Sequence, residues 1–452
     1  MWANCFNELA HEMKCYSYTL FDNKNEFDIF SKLILDKTYH KNIAINESDI
    51  ISLNTEEKAK ILNRYDKYNL QQLTFHNFRN NEGLNDYSFM DHSYTLIRKY
   101  EDFLKKRDIQ VLFFMEPQSL NITSNAIIME MVCNELGIKV RLAHYIGGWT
   151  NIGIFNNLHR SSEKINKTYK QNLELGLSAK EEKKVTDYFE AYDKFKSSDF
   201  ATRIIYKKTL NKKISIKSFL RNLYYAPKNF FSKSIFNDKY LYDEYDIYHN
   251  KYILFLPNKN KNKRARYLSP FYSNYSSIIE NLLISLPVSY SLIIKDHPHS
   301  MAGNIDESMV ELVKNSDNCF YINPNISTFK VIDNADIVIS VASSSVIEAL
   351  IKFKHVIMFG KKVFTFGEYE APIKRITNFE DLPEILRSCV NSPPPKKEIV
   401  AYFHALLTHT RRGGDVDDDD WCDFSKRTGK NFDIKRIKTV KESIRAALKL
   451  NE

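Results

Sequence analysis

Apolar runs of four to seven residues, each bounded by polar or turn-forming positions, recur in two stretches of the chain. In the first, Ile109–Met115 is a continuous apolar run broken only by Gln110 and stops at Glu116-Pro117-Gln118. A helical pattern follows to Leu136, Gly137 closes it, and Ile138–Leu142 alternates as a strand. Glycine just past a helix end, followed by a new apolar run, marks a strand–loop–helix–strand unit of a parallel sheet.

The second stretch is longer and more regular. Tyr252–Leu256 predicts a strand ending at Pro257, residues 271–285 a helix, and Tyr290–Ile294 a strand. Strands at Asn318–Ile322, Asp336–Ser340 and His355–Phe359 follow, with helices at Phe329–Asn334 and Ser345–Phe353 between them. Apolar strands alternating with short helices predict a doubly wound parallel sheet covered on both faces. The expected fold class is therefore α/β, with two Rossmann-like domains facing across a cleft and helices at the C-terminus. The expected divisions are 1–245, 246–395 and a helical tail at 396–452. They fall where the second alternation begins and at Pro393-Pro394-Pro395.

Between the two alternations the pattern changes twice. Residues 160–200 read as charged helix. Residues 203–240 intersperse Lys207, Lys208, Lys212, Lys213, Arg221 and Lys228 with Tyr206, Phe219, Tyr224, Tyr225, Phe230 and Phe231, with no acidic residue before Asp238. That stretch reads either as a contact for anionic lipid, basic groups near phosphates and rings at the interface, or as a solvated connector whose rings pack on a domain. The run Asp417–Asp420 in the tail reads as a solvated acidic loop and a poor match to a metal site.

Composition narrows the class. At 452 residues the chain has room for two or three cores, and its 12 Gly and 12 Pro exclude collagen-like or linker-rich architecture. The formal net charge of +9 suits an anionic substrate or surface without choosing among them. The six cysteines form no CxxC pair, so neither a zinc site nor a disulfide framework is expected, and a reducing cytoplasm fits. No signal peptide and no apolar run long enough to span a membrane are read, so any membrane contact is peripheral. No nucleic-acid-binding motif is present, and nucleic acid is not expected as a partner.

Chemistry concentrates at two predicted strand ends. Lys295-Asp296-His297-Pro298 follows the strand Tyr290–Ile294. Ligands of doubly wound sheets bind beyond the carboxyl ends of strands. There, His297 can donate to a phosphate oxygen or supply a proton to a leaving phosphate, Pro298 fixes the turn, and Lys295 adds charge. The plain alternative is a surface turn that contains a histidine. The second strand end, Val341-Ala-Ser343-Ser344-Ser345, runs into a helix with Glu348 in its first turn. Three hydroxyls and unpaired backbone N–H groups at a helix start favour an anion, and Glu348 can accept from ribose hydroxyls. Serine capping with a favourable first-turn Glu accounts for the same residues. Gly360, after a third strand, permits close approach of a ligand.

With these residues in view, the stretch from Tyr252 to about Cys389 resembles the capsule polysaccharide biosynthesis family. The carriers are YILFLPN, the helix ending in Leu286-Pro287, KDHP, and ADIVISVASSSVIEALIKFKHVIMFGKKVF. Members include capsular Kdo transferases; sialyltransferases, polysialyltransferases and CDP-glycerol transferases share parts of the same logic. The resemblance implies a GT-B architecture and a cytidine-nucleotide donor. It implies His297 on the donor phosphate, Ser343 and Ser344 facing it, and Glu348 on the ribose. Two departures bear on the donor: Lys259-Asn-Lys-Asn-Lys263 where members carry other polar residues, and Ser-Ser where many have Gly-Thr.

The function expected is a metal-independent glycosyltransferase of surface polysaccharide synthesis. Its substrates would be a CMP-linked nucleotide sugar and a polysaccharide or lipid-linked glycan acceptor, without any further cofactor. Glu116, at the end of the first apolar run, is the candidate base, since a carboxylate there can take the acceptor proton; a structural acid is its plain alternative. Trp149, after Gly147-Gly148, reads as a sugar-stacking ring or a packed core residue. The rival functions are a CDP-polyol phosphotransferase and a non-catalytic carbohydrate- or nucleotide-binding assembly protein.

Overall fold

The computed structural model describes residues 17–21, 40–44, 52–68, 86–115, 124–146, 151–155, 163–196, 241–242, 250–257, 272, 274–296, 307–323, 326–341, 343, 345–359, 372–412, 442 and 445. Glu116, Trp149, the 203–240 stretch, His297, Pro298, Ser344, Gly360 and Asp417–Asp420 lie outside the described residues. The chain forms two compact units: Met1–Ser161 with Thr410–Glu452, and Ser162–His409. The divisions expected at 245 and 395 both fall inside the second unit.

In chain order the first unit holds β1 (Ser17–Phe21), β2 (His40–Ala44), α1 (Thr55–Tyr65), α2 (Asp86–Lys106), β3 (Val111–Met115), α3 (Ser124–Glu135), β4 (Lys139–Ile146) and β5 (Asn151–Phe155). The second unit begins with α4 (Glu163–Leu175) and α5 (Ala179–Lys196). It continues through β6 (Leu241–Tyr242), β7 (Tyr252–Leu256), α6 (Tyr275–Ser285), β8 (Ser291–Ile294), α7 (Glu307–Lys314) and β9 (Cys319–Ile322). Then come α8 (Thr328–Asn334), β10 (Ile337–Ser340), α9 (Ser345–Ile351), β11 (His355–Phe359), β12 (Lys374–Ile376), α10 (Leu382–Val390) and α11 (Lys396–His409). Finally β13 (Thr410–Arg412) returns the chain to the first unit.

The strand–helix–strand unit read from sequence is present in the first unit, with β3 and β4 parallel, Val111 opposite Lys139. Gly137 has φ 68°, a left-handed turn, and the Ile138 amide donates to the Cys133 carbonyl at 2.8 Å to end α3. The sheet is mixed: β5 runs antiparallel to β4, and β13 antiparallel to β5. Part of the tail expected to be helical is therefore an edge strand. Helix α2 buries Leu96, Ile97, Tyr100 and Leu104, spaced so that they share one face, alongside Ile128 and Val132 of α3.

The second unit carries a seven-stranded sheet in the order β12-β11-β10-β7-β8-β9-β6, parallel in every pairing. Counting from β7, this is the Rossmann order 3-2-1-4-5-6 with β6 added at one edge. All five residues of β7 and of β11 are buried, as strands covered on both faces require. Ile253, Phe255, Leu292 and Ile339 form one face of the core with Ile278, Ile279 and Leu282 of α6, Met309 of α7 and Leu386 of α10. On the β7 face occupied by Tyr252, that residue's hydroxyl donates to the Val331 carbonyl of α8 at 2.6 Å.

Helices α4, α5 and α11 form a further layer of the second unit. The Asn172 amide donates to the Ala401 carbonyl (2.8 Å), and Tyr169 meets Tyr402 edge-on with ring centroids 5.8 Å apart. Phe189 of α5 stands edge-on to Phe403 at 4.8 Å and to Phe353, just beyond α9, at 5.5 Å.

Candidate functional site

Strand β7 is the hinge of the site. On one side it pairs with β8, Phe255 opposite Ile294; on the other with β10, Leu256 opposite Ser340. The order reverses here, since β8 and β9 extend the sheet one way and β10 and β11 the other. The carboxyl ends of β7 and β10 thus flank the topological switch point, where open parallel sheets bind ligands. Two adjacent β7 carbonyls tie down the flanking segments. The Lys295 amide donates to the Phe255 carbonyl (3.1 Å), and the Ser340 hydroxyl donates to the Leu256 carbonyl (2.9 Å). The segment that enters the His297 turn and the segment that enters the serine loop therefore leave the same edge of one sheet.

Lys295, read from the sequence as a source of charge, is 1% exposed. Burial pushes its ammonium down to about 8, while Asp296 and Glu348 pull the other way. Its Nζ reaches the Asp296 carbonyl at 3.4 Å, and Asp296 is itself buried. A desolvated ammonium gives up its proton more readily than an exposed one, so this charge depends on pH near 8.

The serine loop is partly committed to its own backbone. Ser343 Oγ accepts from the Ser345 amide at 3.2 Å, and the Val346 amide donates to the Ser343 carbonyl at 3.4 Å. Serine capping, one of the two readings of this motif, is thus present for Ser343. Glu348 stands in the first turn of α9, half-buried. Burial holds the phenol of Tyr192 well above its ordinary range, with the negative charge of Glu348 second among the causes.

Of the residues singled out in the sequence, the structure describes Lys295 just after β8, Ser343 after β10, and Ser345 and Glu348 in the first turn of α9. It adds Tyr192, which the sequence reading passed over. The available signal was the spacing of Val185, Phe189 and Tyr192, one apolar face of an otherwise charged helix. That spacing marks burial and says nothing of a carboxylate nearby. Among the described residues no group of three or more His, Cys, Asp or Glu side chains could hold a metal ion, and no helix is long and apolar enough to cross a membrane.

Residues 228–367 match the family model described as capsule polysaccharide biosynthesis protein. No curated protein sequence matches the chain. Among solved structures, the KpsC β-Kdo 2,7 transferase of Thermosulfurimonas dismutans is 14% identical, with 71% of this chain and 84% of that chain covered, at a TM-score of 0.36. The β-Kdo 2,4 transferase of the same KpsC is 12% identical, with coverages of 67% and 81% and a TM-score of 0.37. The UDP-GlcNAc 2-epimerase of Methanocaldococcus jannaschii is 13% identical, with coverages of 85% and 95% and a TM-score of 0.33. None of the three superposes closely. Across 228–367, which takes in β7 to β11 and both loops of the site, the chain carries the sequence pattern of the capsule polysaccharide biosynthesis family.

Proposed function

We propose that this protein is a glycosyltransferase of surface, capsular-type polysaccharide synthesis that binds a nucleotide-sugar donor at the carboxyl edge of the second-unit sheet. The observation that carries the reading is the anchoring of Lys295, two residues before His297, and of Ser340, three before Ser343, to adjacent carbonyls of β7 at the switch point of a Rossmann-ordered sheet. The match of this segment to the capsule family supports the same assignment.

In this scheme the donor phosphate is taken by His297 from the β8 side and by Ser343, Ser344 and Ser345 from the β10 side. Hydroxyl and amide donors aimed at the phosphate stabilise the charge that grows as the sugar leaves, and His297 can supply a proton to it. Glu348, with several lone pairs, can accept from ribose hydroxyls. Glu116 serves as the base that takes the acceptor proton, and Gly360 leaves room for the donor. The scheme uses no metal. The donor is CMP-linked, and the acceptor is a polysaccharide or lipid-linked glycan reached from the cytoplasmic face of a membrane, with residues 203–240 on anionic lipid.

Thermal unfolding in the presence of CMP, CDP, UDP and GDP tests the donor. Selective stabilisation by cytidine nucleotides is expected; stabilisation by UDP alone would overturn the cytidine assignment, and none at all would overturn the site. His297→Ala should cost turnover far more than unfolding temperature. Product mass then separates sugar transfer from transfer of a phosphoryl-polyol.

A further inference from the structure

The strands on either side of β7 stay in register with it up to one last rung each. On the β8 side that rung is Phe255 opposite Ile294, and on the β10 side Leu256 opposite Ser340. Beyond it the neighbours of a switch-point strand part, and ligands of such sheets bind in the crevice between them. The width of the crevice at its root depends on what still joins the three segments there.

Two buried polar residues do so. Ser340 is 0% exposed, and its partners in register are apolar on both sides, Leu256 of β7 and Met358 of β11. Alanine would fit among them without the cost of burying a hydroxyl, so packing does not account for the serine. Its Oγ donates to the Leu256 carbonyl at 2.9 Å, a side-chain bond added to the last rung. On the other side the Lys295 amide donates to the Phe255 carbonyl at 3.1 Å. The Lys295 side chain turns back, its Nζ donating to the Asp296 carbonyl at 3.4 Å, the last carbonyl before His297. Lys295 and Asp296 are 1% and 2% exposed. An ammonium is costly to enclose, and methionine would fill much the same space if filling were its only task.

Resting on the donor-site reading above, we propose that Ser340 and Lys295 are positioning residues: Ser340 fixes the root of the serine loop to β7, and Lys295 fixes the peptide bond that leads into His297. Together they hold the crevice at the width that receives the nucleotide phosphate. Neither residue need touch the nucleotide. Ser340 carries no charge, so its removal reports position alone, free of any attraction for phosphate.

The test is calorimetric binding of CMP, CDP, UDP and GDP to the full chain and to Ser340→Ala, Ser340→Cys, Lys295→Met and Lys295→Arg. Binding is measured at a temperature where thermal unfolding shows each protein to be folded. A merely structural role would lower the unfolding temperature and leave the affinity of the folded protein unchanged. The positioning role predicts that Ser340→Ala weakens the bound nucleotide about fivefold, the worth of one hydrogen bond. Ser340→Cys, with a weaker donor, should fall between the wild type and Ser340→Ala, and serves where the alanine variant does not fold. Lys295→Met should weaken binding as strongly or more, and Lys295→Arg should restore part of the loss, since a guanidinium can still donate to a carbonyl. Unchanged affinity in the folded Ser340 variants, or in Lys295→Met, would overturn the positioning role and leave the donor site standing. Failure of the wild-type chain to bind any of the four nucleotides would overturn the donor site and the positioning role together.

Discussion

The amide of Lys295, whose ammonium is enclosed at 1% exposure, donates to the Phe255 carbonyl of β7 at 3.1 Å. The stability of the fold should show the cost of enclosing that ammonium. Burial lowers it from 10.5 to about 8. Between those values the folded protein binds fewer protons than the unfolded chain, so stability rises with pH across the window, and below it the full cost is present. Relative to Lys295→Met, which cannot titrate, the wild type should gain on the order of 3 kcal/mol between the two values. Urea unfolding of both proteins at pH 7.5 and pH 10 measures the difference. A difference that does not change with pH would refute the buried titration.

The same ammonium should limit nucleotide binding on the alkaline side. Asp296 and Glu348 face it, and both favour its charged form. As pH rises through about 8 the charge that favours an anionic ligand is lost, and affinity for the nucleotide should fall. Lys295→Arg, charged throughout this range, should flatten the alkaline limb. An unchanged limb in that variant would assign the titration to another group.

The second-unit sheet was legible because its strands are covered on both faces. Burial on both faces demands unbroken apolar runs, and Tyr252–Leu256 and His355–Phe359 could be bounded to the residue. Edge strands carry no such mark. Thr410–Arg412 is a polar triplet whose pairing with Gly153, Ile152 and Asn151 comes from residues remote in sequence, and Lys374–Ile376 is as short. The two site loops were legible as strand ends. That Lys295 points inward was not, because a lysine beside an aspartate and a histidine has the local pattern of a surface turn. The contact of Tyr192 with Phe329 leaves no local trace at all, since it depends on how α5 packs on α8.

In the first unit, Glu101 is the node of a charge network. Its Oε1 accepts from Arg64 Nη1 and from the Tyr65 hydroxyl, each at 2.8 Å, and Lys105 lies 3.5 Å from Oε2. Arg64 reaches on to Glu135 at 3.4 Å, so α1 is tied to both α2 and α3. The Glu101 side chain is 8% exposed, and its removal leaves the buried Tyr65 phenol without its acceptor and takes one of two carboxylates from the Arg64 guanidinium. Glu101→Ala should destabilise the first unit by about 3 kcal/mol, read from urea unfolding. Glu101→Gln, which retains an acceptor for Tyr65, should cost less, and equal costs would show that the whole loss comes from the charge.

His404, on α11 in the helical layer of the second unit, gives the fold an acid limit. The residue is 8% exposed, and its Nδ1 is buried with no hydrogen-bond partner among the described residues. Its Nε2 stands 3.7 Å from Glu181 Oε1, which favours the charged ring, while Lys184 opposes it. Burial outweighs Glu181 and moves the imidazole below 6.5. His409 on the same helix is shifted the same way by burial, with Lys164 and His404 adding to the effect. For both rings the unfolded chain takes up protons before the folded protein does. Their neutral forms therefore favour the fold fully at neutral pH, and that advantage is lost as pH falls below 6.5. His404→Gln, uncharged at every pH, should narrow the drop in unfolding temperature between pH 7.5 and pH 5.5 and leave the remainder to His409 and the other buried histidines. A drop as steep as that of the wild type would mean that Glu181 keeps the His404 ring charged in the folded protein.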